Sequence, residues 1–387
     1  MDLSAIRILD LSRLLPGPYG TQILSDMGAE VIKIEDPDDG DYARYAEPIS
    51  PDEIGTAFSA INKGKKSVTL NLKSEQGREI FYELVEDADV IVEQFRPGVV
   101  ENLGIDYASV RERDPDIVYC SLSGFGQTGP YRERVGHDLN YVSFAGLLDM
   151  TRAGPDGRPI IPGYPIADMA GGVFAAISVI GSLLSSQLGT TDGTHIDVSM
   201  TEAVLSFSHA VSPLALHGDD PRSGATELTG RYPCYDVYET KDGKYITISA
   251  LEFKFWRNLC TELGLEDIIG NHRSDDPAVR MAVRERLEDT FLKRSRSDWE
   301  AALHETDVMF APVKSPDEAL NDDQVQCRNL VKDPDGRYPR VGFPGLVDGE
   351  RPGDDESIPG LGEHTRPVLK RLGYSEELDE LSDDNVI

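Results

Sequence analysis

Apolar segments of strand length alternate with amphipathic helical segments through the first 200 residues. This alternation constrains the fold more than any other feature of the chain. Ile6 to Leu11, Glu30 to Ile34, Ser67 to Leu72, Asp89 to Phe95, Ile117 to Leu122 and Thr194 to Val198 read as buried strands. Pro18 to Met27 and Glu75 to Ala88 read as helices between them. Strand and helix in alternation predict βαβ units and a mostly parallel sheet. The first strand runs into LLPGPYG rather than GxGxxG, so the usual dinucleotide fingerprint is missing and an NAD-dependent reaction is disfavoured.

Further along, Ile166 to Leu188 is a long helical stretch rich in Ala and Gly. Its length alone would permit a membrane span. Its flanks carry no basic anchor, so it reads as a small-residue helix buried within the protein, with no membrane role. An apolar helix starts near Glu202, and then the pattern changes. CYDVYETKDGKYITIS, from Cys234 to Ser249, alternates with period two across a Lys-Asp-Gly turn and predicts a hairpin. Helices are expected at Leu251 to Leu263, Val279 to Leu292 and Trp299 to His304, the last behind a capping box from Ser297 to Glu300. The expected organisation is a large α/β domain over 1–200, a smaller α+β domain over 225–325, and a final part over 326–387. That last part comprises a Pro-, Gly- and Asp-rich connection at 333–363 and a closing helix from Thr365 to Leu372.

Charge narrows the function classes. Of 387 residues, 69 are acidic and 38 basic, a formal net charge of −31. That charge repels nucleic acid and anionic lipid. Spread along the chain, it suits a surface that stays solvated at high ionic strength, as in a halophilic, salt-rich cytoplasm. Cys120, Cys234, Cys260 and Cys327 lie far apart without ligand spacing, so neither a disulfide framework nor a metal site is expected. The N-terminus shows no basic stretch followed by an apolar run, and a cytoplasmic location is the expectation.

Four places could carry chemistry. Asn62-Lys63-Gly64-Lys65-Lys66 is the densest basic patch and reads either as an anion site or as a solvated turn. Phe95-Arg96-Pro97-Gly98 puts an arginine at the carboxyl edge of the sheet, where open α/β folds bind ligands. Ser123-Gly124-Phe125-Gly126-Gln127-Thr128-Gly129-Pro130-Tyr131 lets backbone N–H groups approach a ligand. His137, in Gly-His-Asp-Leu-Asn-Tyr, and Asp168, heading the apolar helix, form the fourth. An acid at the head of such a helix should be desolvated and its pKa raised, which suits proton transfer or nucleophilic attack. A capping role for Asp168 and a structural one for His137 stay open.

LLPGPYGTQILSDMGAEVIKIE, NKGKKSVTLNLKSEQGRE, DVIVEQFRPGVVENLG, VYCSLSGFGQTGPY and GEHT, in this order, resemble the family III CoA transferases, which include α-methylacyl-CoA racemases. The resemblance implies a Rossmann-like large domain built from both chain ends, a small inserted domain and an interlaced homodimer. The substrate would be a CoA thioester, with no permanently bound cofactor. Arg96, Leu72, Lys73, Lys63, Gly124 and Tyr131 would bind CoA. The catalytic aspartate would be Asp168. GHDLNY and Ser249-Ala250-Leu251-Glu252 look like the racemase branch, in which Glu252 contacts the catalytic His137. The expected reaction is then 1,1-proton transfer on a 2-methylacyl-CoA, with His137 and Asp168 on opposite faces of an enolate. Its oxyanion would be stabilised by N–H groups at the start of the Asp168 helix. The alternative is CoA transfer between carboxylic acids through an anhydride at Asp168. Where many relatives have a CoA-contacting arginine, this chain has Ile34-Glu35-Asp36-Pro37, for which Arg44, the Lys63–Lys66 patch or bound cations would compensate.

Overall fold

The computed structural model describes residues 2–154, 156–332, 336–353 and 357–387. The chain forms two compact units, one of residues 1–147, 162–208 and 323–387 and the other of 148–161 and 209–322. The second unit therefore begins earlier than the change of pattern at 225 and takes in a short segment from before the long apolar helix.

The first unit is built on six parallel strands: β1 (Arg7–Leu11), β2 (Glu30–Glu35), β3 (Lys66–Thr69), β4 (Val90–Glu93), β5 (Val118–Ser123) and β6 (Thr194–Ser199). Their order is β3-β2-β1-β4-β5-β6. Side chains alternate between faces. Leu9, Ile32, Ile91 and Tyr119 pack under the Glu75–Val85 helix and the C-terminal helices Thr365–Leu372 and Leu378–Asp383. Ile8, Val31, Val90, Val92 and Cys120 pack on the other face, under Pro16–Asp26 and Ile166–Gln187. The return of the chain end is pinned by hydrogen bonds from Thr69 N–H to Thr365 Oγ1 and from Asn71 N–H to the Val386 carbonyl, each 2.8 Å. The buried Arg340 adds a bidentate pair with Asp26.

The Ile166–Gln187 helix is buried on one face only. Ala167, Ala170, Ala175 and Val179 are covered, whereas Ile177 and Leu184 are 56% and 55% exposed, so the expectation of a buried helix holds for half of it. Its close approach to the Pro16–Asp26 helix depends on two glycines. A Cβ on Gly172 would stand 2.5 Å from the Pro16 carbonyl oxygen, and one on Gly20 2.7 Å from that of Gly172. Gly172 lies one turn beyond Asp168. Gly172→Ala should destabilise the protein by about 1–3 kcal/mol in denaturant titration. Gly181→Ala, where a Cβ meets nothing within 4 Å, should be neutral or stabilising by up to about 1 kcal/mol. Equal effects at the two positions would refute the packing argument.

The second unit holds an antiparallel sheet of β7 (Tyr235–Glu239), β8 (Tyr245–Ser249) and β9 (Phe310–Pro312). Helices Phe253–Leu263, Pro277–Phe291 and Arg296–Leu303 pack around Trp256, Leu259, Phe291 and Trp299. The capping box sits two residues earlier than expected. Ser295 Oγ accepts from Asp298 N–H and Asp298 Oδ2 from Ser295 N–H, because Arg296 already belongs to the helix. The connection after Lys332 is less extended than its composition suggests, since Val331–Lys332 pairs with Arg340–Val341. Residues 333–335 and 354–356 of that connection lie outside the described residues.

Candidate active site

The strand order reverses between β1 and β4. In open parallel sheets, loops leaving the carboxyl ends of strands part at such a point and leave a crevice. Here Ser12 and Arg13 follow β1, Gln94 to Pro97 follow β4, and Gly124 follows β5. Together they frame two clefts. One, of about 260 Å3, is lined by Leu72 and Lys73 from beyond β3, by Asp36 from beyond β2, and by Arg13 and Phe95. The other, of about 230 Å3, is lined by Arg13, Phe95, Arg96, Gly124, His137 and Asp168. Arg13 and Phe95 border both.

Arg13 is held at that junction by a buried ionic network. Lys33 Nζ donates to the Ser12 carbonyl at 2.7 Å and pairs with Asp41 Oδ2 at 2.9 Å. Asp41 Oδ1 accepts from Leu14 N–H at 2.9 Å, and Leu14 has the left-handed φ of 64°. A leucine adopts that conformation at a cost that the surroundings must offset. Asp10 accepts from Ser12 N–H at 3.0 Å and pairs with Lys65 Nζ at 3.1 Å. Burial pushes the Asp10 carboxyl up, but Lys65 and Lys33 outweigh it and hold the group below the usual carboxylate range. Lys33 is likewise pushed down by burial, yet Asp10, Asp41 and Glu35 keep it above the ordinary lysine value.

Asp168 stands in the first turn of the Ile166–Gln187 helix, half-buried at the second cleft. Burial, and then the charge of Asp138, push its carboxyl up to about 7. Asp138 is close because its Oδ1 accepts from the N–H groups of Ala167 (2.6 Å) and Asp168 (3.2 Å). This narrows the expected oxyanion site: two of the first-turn donors of the Asp168 helix, the N–H groups of Ala167 and Asp168, are already engaged by a carboxylate.

His137, Arg96 and Gly124 share the cleft with Asp168, and His137 is exposed at the head of the Asp138–Phe144 helix. Leu72 and Lys73 line the neighbouring cleft. Tyr131 borders a third depression, where its ring meets Phe125 and Phe144 edge-on. Lys63 is corrected: it is 1% exposed and lines none of these clefts. Two lysines of the patch are engaged by carboxylates of the protein itself. Lys65 lies within the Asp10 network, and Lys66 pairs with Glu30. Arg44 does not replace the missing arginine either, because both its sides are occupied by Glu35, the Pro359 carbonyl and the Phe58 ring. Asp36 instead faces Lys73 at 3.7 Å. Glu252 belongs to the second unit, exposed at the head of the Phe253–Leu263 helix.

Three residues of the Asp168 cleft escaped the sequence reading as site candidates, Arg13, Arg132 and Arg134, and so did Asp138, which bonds the backbone of Asp168. A dense run of arginines on either side of Glu133, in so acidic a chain, was the available signal for two of them. Among the described residues, no group of three or more His, Cys, Asp or Glu is gathered to hold a metal ion.

Residues 3–365 match the family model described as CoA-transferase family III, and the chain belongs to that family. It is 35% identical over 333 residues to the acetyl-CoA:oxalate CoA-transferase of Acetobacter aceti, covering 84% of each chain. It is 31% identical to human alpha-methylacyl-CoA racemase, over 100% of this chain and 98% of the other. Among solved structures, a CAIB/BAIF family protein from Brucella suis superposes with a TM-score of 0.82 at 30% identity, covering 95% of this chain and 98% of that one. Transferases and a racemase thus both match along most of the chain, and the similarity does not set it nearer the racemase branch.

Proposed function

We propose that the protein is an intermolecular CoA transferase that moves CoA from an acyl-CoA to a carboxylic acid, with Asp168 as nucleophile. The Asp168 carboxylate attacks the thioester carbonyl, the carbon–sulfur bond breaks, and the products are a mixed anhydride and CoA thiolate. The thiolate then attacks the aspartyl carbonyl and releases the first acid, leaving an aspartyl–CoA thioester. The acceptor carboxylate repeats the two steps in reverse and departs as the new acyl-CoA. No proton is gained or lost over the cycle.

The observation that carries this reading is the placement of the Asp168 carboxyl in a cleft lined by four arginines, a setting for an acceptor carboxylate. Both an enolate and the tetrahedral oxyanion of acyl transfer need donors poised at oxygen; the Ala167 and Asp168 N–H groups are taken by Asp138, so either reaction would draw on the arginines of the cleft. Several CoA transferases match along most of the chain, which supports the same choice. Arg13, Arg96, Arg132 and Arg134 line the cleft against the acids Glu133 and Asp168, which suits an anionic acceptor. Each cleft is smaller than the ~300–1,000 Å3 of a typical small-molecule pocket. A ligand of CoA size would therefore occupy both, its nucleotide near Leu72 and Lys73 and its thioester at Asp168. Racemisation keeps one supporting observation, the presence of His137 in the same cleft as Asp168.

Acetyl-CoA and a panel of longer acyl-CoAs, each incubated with the protein and hydroxylamine, should leave a hydroxamate on Asp168 detectable by peptide mass spectrometry. α-Deuteration of a 2-methylacyl-CoA in D2O, with no hydroxamate from any donor, would replace this reading by the racemase one.

We further propose a cytoplasmic homodimer of the interlaced kind. The free cysteines Cys120, Cys234, Cys260 and Cys327 suit a reducing compartment. Leu188, Leu205 and Phe207, at 69%, 51% and 55% exposed, continue the uncovered face of the Ile166–Gln187 helix and offer an apolar surface for a second copy. Light scattering should give twice the 42.6 kDa chain mass, and a monomer at micromolar concentration would refute the dimer.

A further inference from the structure

The Ile166–Gln187 helix supplies no cap of its own: Pro165 precedes it, with no side-chain hydrogen bond to the helix. The cap comes from Asp138, 30 residues away from Asp168 in the sequence. Asp138 opens a different helix, Asp138–Phe144, directly behind His137. His137 is fixed by that helix in turn, since its N–H donates to Asn140 Oδ1 at 3.0 Å and its carbonyl accepts from Asn140 N–H at 2.8 Å. One carboxylate therefore ties the helix start that bears Asp168 to the helix start headed by His137.

We propose that Asp138 is a positioning residue, which ties the helix start bearing Asp168 to the one headed by His137 in one cleft and brings its own negative charge beside the Asp168 carboxyl. The inference rests on Asp168 being the reactive carboxyl. A helix N-terminus ordinarily favours an anion in its first turn. Here the Asp138 carboxylate answers that partial charge itself, so the dipole does little for Asp168, and burial and Asp138 act on it in the same direction. A carboxylate kept basic in this way is a stronger nucleophile once ionised.

Other groups facing the cleft are Tyr141 from the same short helix, Arg96 from the loop after β4 and Arg13 from the loop after β1. Arg132, Glu133 and Arg134 face it from the segment before His137. Of all these, Asp138 is the one bonded to the backbone of Asp168.

The test is a titration of Asp168 in the full-length protein labelled with carboxyl-13C aspartate, the resonance being assigned by its loss in Asp168→Asn. Asp138→Asn keeps an oxygen for the two N–H groups but removes the charge. Its Asp168 midpoint should fall by about half to one pH unit, with the acid limb of the acyl-transfer pH profile moving by the same amount. Asp138→Ala removes the cap as well and should lower kcat at every pH by a further ~10-fold or more. Should Asp138→Asn not fold, Asp138→Ser, another uncharged cap, carries the same expectation for the midpoint. An unmoved midpoint in the folded variant overturns the proposal. A moved midpoint in a protein that forms no hydroxamate supports it and counts instead against the transferase reading.

Discussion

Asp168→Ala should abolish CoA transfer, lowering kcat by about 10^4-fold or more, as loss of a covalent nucleophile does elsewhere. The protein should remain folded, because the capping hydrogen bonds at this helix start run from the backbone of residues 167 and 168 to Asp138 and do not use the Asp168 side chain. His137→Ala is the informative partner. On the transferase mechanism it costs about tenfold, because no proton moves in the reaction, whereas racemisation would lose one of its two proton carriers and fall as far as Asp168→Ala. Steady-state transfer to oxalate and other dicarboxylates, with α-deuterium exchange measured in parallel, separates the outcomes. Equal, severe losses of exchange in both variants would establish racemisation. The pH dependence has a definite sign: attack requires the ionised carboxyl, so transfer should rise through an acid limb centred near pH 7, where Asp168 is raised to about 7.

Lys65→Met should cost about 3–5 kcal/mol of folding stability, since it strips a paired charge from a carboxylate that stays fully buried. Lys65 Nζ lies within 3.1 Å of Asp10 Oδ2, Thr21 Oγ1, Asn62 Oδ1 and the Pro18 carbonyl, four acceptors that share its three N–H groups. The variant loses all these contacts together. The double variant Asp10→Leu with Lys65→Met should recover part of the loss, because an apolar pair leaves no orphaned ion. Urea titrations of the three proteins check this, and a neutral Lys65→Met would refute it. Stability should also fall with acid. Asp10 is held below its unfolded value, so its contribution is present at neutral pH and is lost as the pH drops below about 4. Asp168 acts in the opposite sense: its raised value stabilises the fold at low pH, and that contribution is lost as the pH rises towards 7.

These two sites divide what sequence could and could not reveal. The strand segments of the large unit are legible because a buried parallel strand is apolar on both faces; Val90–Glu93 and Val118–Ser123 sit within or one residue beyond their expected limits. Asp168 was legible for a related reason, as a charged group standing alone at the head of an apolar helix. Lys63 and Lys65 were not. A lysine cluster before a strand has the same local pattern whether it meets solvent or an acid, and the partner of Lys65 is 55 residues away on β1.

By itself, the amino-acid sequence determined the alternating βαβ build of the large unit, the hairpin of the small one and, through the order of its motifs, the CoA-transferase family. Those properties are periodic or local, so neighbouring residues suffice to encode them. Only the tertiary structure decided which loops part at the strand-order reversal, that four arginines line the cleft of Asp168, and that Asp138 engages the head of its helix. Each depends on bringing together groups from distant segments, where distance through space, and not along the chain, sets the energy of a charge or a hydrogen bond.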